Sequence, residues 1–164
     1  MSTEKQVGEV FLLQARQHVR EEFLPKIQDC LSKLTEEDIW WRGDETNNSV
    51  GNLLLHLAGN VRQWIGSGIG GEKDIRQRAS EFSERRPLSK EELWRKLEDA
   101  VADADRVLAR FSPEHLLDSR HIQKYDLTAL QAIFHVVEHF SYHTGQIIYI
   151  TKLKRKTDLK FYDL

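Results

Sequence analysis

The chain has 164 residues, of which 40% are hydrophobic and 30% charged, and a formal net charge of -2. That length suits one domain able to bury roughly 70% of the surface its unfolded chain would expose. The balanced charge gives no basis for nucleic-acid binding, and no apolar run approaches the ~20 residues of a membrane span.

The start of the chain, MSTEKQVGEV, is polar and lacks the apolar stretch of a signal peptide. The one cysteine, Cys30, excludes an internal disulfide and reads as a small core residue. A cytoplasmic protein is the expectation. Four helical segments follow in chain order, with almost no strand signal. The first covers 9–34, where Phe23, Ile27, Leu31 and Leu34 recur at helical spacing. Pro25 falls inside that pattern and predicts a kink near it. The second covers 49–65, with Asn48 or Ser49 as its cap and Gly66, Gly68, Gly70 and Gly71 ending it. A long connection, 66–88, reads either as a functional segment or as a solvated loop. The third segment, 89–111, opens on the capping box Ser89-Lys90-Glu91-Glu92 and stops before Pro113. The fourth, 128–154, opens on a second such box, Thr128-Ala129-Leu130-Gln131. Its basic end, Lys152, Lys154, Arg155 and Lys156, complements a helix C-terminus. The pattern predicts an all-α, four-helix bundle filling residues 1–164 as a single domain.

The fourth segment carries His135, His139 and His143 at four-residue intervals. Residues so spaced share a helix face, each step drifting by about 40 degrees, and Tyr142 and Gln146 fall in the same sector. A histidine pair at i, i+4 lets two imidazoles converge on one ion, as helical zinc sites do. Two ligands underhold a divalent metal, and His56 in the second segment is the candidate third. On its own helix His56 shares a polar stripe with Ser49, Asn52, Asn60 and Gln63. That stripe reads equally as a solvent-facing surface or as one wall of a polar cavity shared with His139 and His143. Asn52 and Asn60 flank His56 by one turn each way, as pocket lining or as structural contacts. Tyr142 is either a packed residue or a proton donor, and Gln146 is placed to orient a ligand by hydrogen bonding. Trp40, Trp41 and Trp64 suggest core or interface packing, with a substrate wall as the alternative. His115 and His121 carry no such setting.

Several stretches resemble a known family. HFSYHTGQI resembles the H-x3-H-x-G-Q pattern in the last helix of the DinB/YfiT-like superfamily of metalloenzymes. SVGNLLLHLAGNVRQWI resembles that superfamily's second helix with its single histidine. WWRGDETNNSVGNL, GGEKDIRQRASEF and the terminal DLKFYDL resemble an uncharacterised bacterial branch of it. The resemblance implies a four-helix bundle, usually a homodimer, that binds a divalent metal, most often nickel or zinc. It assigns the ligands as His56, His139 and His143, and leaves His135 outside the ligand set. Thr144 stands where many relatives carry arginine, so no role for that arginine transfers. Characterised relatives include transferases and isomerases that use a low-molecular-weight thiol. The expectation is a metal-dependent hydrolase or thiol transferase acting on a small molecule. The alternative is a helical bundle without catalysis that captures a metal or holds none. Neither nucleic acid nor membrane is an expected partner.

Overall fold

The computed structural model describes residues 3–84 and 88–161. Residues 85–87 of the 66–88 connection, and the end of the DLKFYDL stretch, lie outside the described residues. The architecture is an all-α bundle. Its first long run joins α1 (Thr3–Gln17) to α2 (Leu24–Lys33) through a wider π-helical turn, His18–Phe23. A five-residue α3 (Glu36–Trp40) follows, then α4 (Val50–Val61), which continues through a second π-helical turn, Arg62–Ser67. α5 (Arg78–Ser83) is short; α6 (Lys90–Arg110) and α7 (Ala129–Arg155) are long. Between α6 and α7 an antiparallel hairpin pairs β1 (Ser119–Ile122) with β2 (Tyr125–Thr128).

Local chemistry accounts for most of the boundaries. Ser89 and Thr128 both form complete capping boxes, and Ser49, rather than Asn48, accepts the amide of Asn52 at the start of α4. Pro25 sits in the first turn of α2, where its missing amide costs the new helix nothing. The same missing donor removes a bond to the preceding turn, and the irregularity falls there, at His18–Phe23. Relative to the sequence expectation, the first run starts earlier, at Thr3, and the second ends later, at Ser67. α3, α5 and the hairpin are additions the helical periodicity did not announce.

The core is built from one stripe of each long helix. Leu53, Leu57 and Val61 of α4 meet Leu93, Leu97 and Val101 of α6, while Ile133, Phe140 and Ile147 of α7 close the other side with Ile27 of α2. Spacings of four and seven residues put each set on one face. Cys30 lies fully buried in this core, and burial pushes its thiol pKa up. Lys154 and Arg155 reach Asp38 at 3.3 Å each, which ties the end of α7 to α3. Among the described residues no helix is long and apolar enough to cross a membrane.

Candidate metal centre

α4 and α7 pack side by side, so the polar stripe of α4 faces the histidine face of α7. His56 is therefore not on a solvent-facing surface: it is 4% exposed. Its Nε2 lies 3.0 Å from His139 Nε2, which lies 3.2 Å from His143 Nε2. The three ring nitrogens fall within 4.8 Å of one another. Two metal–nitrogen bonds of about 2.1 Å meeting at roughly 90–100 degrees span about 3.0–3.2 Å, so this spacing suits a shared ion.

Each ring's far nitrogen decides what its near nitrogen offers. His56 Nδ1 sits 2.9 Å from Glu81 Oε2. Burial alone would raise the Glu81 pKa, but hydrogen bonds from Arg76 and His56 overcome it and hold the carboxyl below its usual range. Arg76 Nη2 also lies 3.1 Å from this nitrogen, but it already donates to Glu81 Oε2; an ionised carboxylate only accepts, so the shorter contact sets His56 Nδ1 as the donor and leaves Nε2 of a neutral ring as the inward acceptor. His143 Nδ1 donates in the same way to Gln146 Oε1 at 2.7 Å, leaving its Nε2 as an acceptor. His139 Nδ1 is buried with no hydrogen-bond partner among the described residues. Burial, reinforced by His143 and His56, drives the His139 pKa down to about 3. Burial also lowers that of His143. The cluster thus gathers three imidazole Nε2 atoms at one point, with the rings of His139 and His143 held towards their neutral forms. Such a donor set fits a divalent cation, which supplies the positive charge that neither neighbouring ring provides.

The connection between α4 and α6 holds the His56 side in place. Arg76 donates Nε to Glu81 Oε1 at 2.7 Å and Nη2 to Oε2 at 2.8 Å, a two-pronged ion pair. Its Nη1 donates to Gln63 Oε1 at 2.8 Å. Gln63 donates in turn to Asp74 at 2.7 Å and accepts from Gln123 of the hairpin turn at 2.6 Å. Gly59 makes room for this: a Cβ there would collide with the Glu81 carboxylate. Phe82 covers the His56 ring at a centroid distance of 4.7 Å.

The remaining residues singled out in the sequence fall into different places. His135 is half-buried against Trp64, with ring centroids 4.2 Å apart, and lies outside the converging set. Its pKa is lowered by burial. Tyr142 lies with its ring edge-on to His143, 5.1 Å between centroids, and is 64% exposed. Asn52 is fully buried and occupied: it accepts from Ser49 and Arg42 and donates to the backbone carbonyls of Glu81 and Glu84. It fastens α5 to α4. Asn60 is buried with its Oδ1 unpartnered among the described residues, as is Trp64 Nε1 one turn further on. Trp40 packs against Gly51 and donates to the Leu88 carbonyl at 3.1 Å. His115 and His121 are exposed and pair with Asp118 and Asp126.

Sequence reasoning missed Arg76, Glu81 and Phe82. They lie 20 to 26 residues beyond His56, in a stretch without helical periodicity. The signals were a connection too long for a plain turn and the resemblance of GGEKDIRQRASEF, which contains all three, to a family branch.

A family model described as "Protein of unknown function (DUF1572)" matches residues 6–163, and the chain belongs to that family. A search among curated proteins found no match.

Proposed function

We propose that this DUF1572 protein is a divalent-metal protein, with its ion held by Nε2 of His56, His139 and His143, that acts on a small molecule as a hydrolase or thiol transferase. The observation that carries the proposal is the convergence of three imidazole Nε2 atoms, two of whose rings are oriented through Nδ1 by Glu81 and Gln146. The resemblance of both histidine-bearing helices to the DinB/YfiT-like superfamily supports the same ligand set. It also supports nickel or zinc as the ion and a homodimer; the polar start of the chain and its single cysteine support a cytoplasmic location.

When bound, a divalent ion in a three-imidazole site supplies Lewis acidity that favours the deprotonated form of a water or a thiol. The chain's own residues divide the remaining work. Glu81 and Arg76 form a neutral pair that keeps the His56 ring oriented without adding net charge. Phe82 and Trp64 supply apolar cover against His56 and His135. Half-buried His139 and His135 leave the approach on their side accessible.

A second reading, metal capture without turnover, draws on one observation. Among the described residues, Glu81 is the only carboxylate hydrogen-bonded to the three histidines, and Arg76 already engages it. A free general base is therefore not in evidence beside the ion.

Elemental analysis of protein purified without a histidine tag tests the shared premise. The expected result is about one nickel or zinc per chain, lost in His139→Ala. A metal-free wild type, even after incubation with nickel, zinc or manganese salts, overturns it. If metal binds, turnover of thiols with electrophilic substrates, set against ester and amide hydrolysis, separates transferase from hydrolase and both from capture.

A further inference from the structure

A cleft of about 650 Å³ runs between α7 and the 41–48 loop, beside the histidines. Its volume lies in the range of small-molecule sites. Three features of its wall stand out. Although 30% of the chain is charged, no Asp, Glu, Lys or Arg among the described residues lines the cleft. Aromatic and amide side chains line it instead: Trp41, Tyr142 and Tyr149, with Asn47, Asn48 and Gln146. Both tyrosines are largely exposed, on one face of α7. One face of the Trp41 ring carries Lys154 Nζ, 4.8 Å from the centroid, and this contact steadies the indole.

The third feature is Gly145, inside the 27-residue helix α7, where glycine weakens the helix relative to alanine. Packing accounts for other helical glycines here: a Cβ at Gly8 would lie 2.7 Å from Pro113, and one at Gly51 2.9 Å from Trp40. At Gly145 a Cβ would meet no atom within 4 Å. Among the described residues nothing crowds this position, yet it is glycine and lines the cleft. A side chain there would occupy the cleft and nothing else.

Gln146 links the cleft to the histidines. Its Oε1 accepts from His143 Nδ1, and its Nε2 makes no hydrogen bond among the described residues. A ligand carbonyl in the cleft can take that amide hydrogen. The nearby Lys154 ammonium is already engaged by Asp38 at 3.3 Å, so a charged ligand gains little there, whereas a flat uncharged one gains aromatic contact and amide hydrogen bonds.

We infer that this cleft binds an uncharged, planar small molecule bearing a carbonyl or amide, and that Gly145 keeps it open. As the substrate pocket of the metal centre, the cleft rests on the reading of that centre given above; its binding of a ligand does not.

The probe is benzamide, with benzoate as the charged counterpart. Binding to the untagged protein is measured by calorimetry or saturation-transfer NMR, for wild type and Gly145→Leu. Metal content, circular dichroism and sedimentation are recorded on the same samples. The expected result is that wild type prefers benzamide to benzoate at least tenfold. Gly145→Leu should weaken benzamide at least tenfold while keeping its helicity and metal content. Gly145→Ala, which adds one methyl, should weaken it less. Equal binding by wild type and Gly145→Leu, or no preference for benzamide over benzoate, overturns the inference. So does a Gly145→Leu protein that dissociates from dimer to monomer with benzamide binding unchanged, since the cleft would then be a subunit contact. A protein without metal that still shows the benzamide pattern supports the cleft and overturns only the metal reading.

Discussion

The two flanks of the histidine cluster are built on opposite principles. Behind His56 the support is ionic and distant in sequence: Glu81, Arg76, Gln63 and Asp74 are drawn from α4 and the connection after it. Behind His143 the support is uncharged and local: Gln146, three residues on in the same helix, opens onto a cleft that no charged side chain among the described residues lines. Helix geometry alone brings Gln146 to His143, so that flank forms as soon as α7 forms. The other flank exists only once the connection has folded back over Gly59. One ring is thus held by tertiary structure and another by secondary structure, and disturbing each should have different consequences.

The largest effect should come from the ionic flank. Glu81→Ala strips His56 of its orienting acceptor and leaves the Arg76 guanidinium buried without its counter-charge. Metal affinity should fall about 10–100-fold, as for other groups that orient metal ligands. Stability should fall by about 3 kcal/mol, because an uncompensated buried charge remains. Competition with a chelator and urea denaturation measure the two. A Glu81→Ala protein with native metal affinity would show that the connection is only a cover.

An intermediate effect is expected from acid acting on the metal-free protein. An unfolded histidine takes up a proton near pH 6.5, whereas His139 in the folded chain resists it until about 3. The unfolded state therefore binds more protons across that window, and stability declines as pH falls through it. His143 and His135 shift in the same direction. Urea midpoints of chelator-treated protein should be lower at pH 5 than at pH 7.5. A midpoint unchanged between the two would mean that the rings are not desolvated as described.

The smallest effect belongs to the local flank. Gln146→Ala removes one neutral acceptor from a half-buried position that water can replace. Metal affinity should drop by roughly tenfold or less, with stability nearly unchanged. A loss as large as that of Glu81→Ala would erase the distinction between the flanks.

The same contrast explains what could be read from the sequence. Interactions three or four residues apart were legible: the capping boxes at Ser89 and Thr128, the histidine spacing on α7, and the apolar stripe of each long helix. Periodicity left the His56 stripe divided between solvent and cavity, and only the packing of α4 on α7 resolves it. The hairpin was not legible because SRHI and YDLT are short and mostly polar, and their turn uses Gln123 at φ 58 rather than Asn-Gly. The short helix α3 has a Thr35 capping box but only five residues, too few to show a period. Arg76 and Glu81 obey no spacing rule at all. Their pairing with His56 is set by the path of the chain over Gly59.

The central claim is most directly tested by anomalous scattering from crystals of untagged protein grown with nickel or zinc and measured at that metal's absorption edge. The account predicts one strong peak about 2.0–2.1 Å from Nε2 of each of His56, His139 and His143. Crystals with no peak there, or a peak that leaves His56 outside bonding distance, would contradict it.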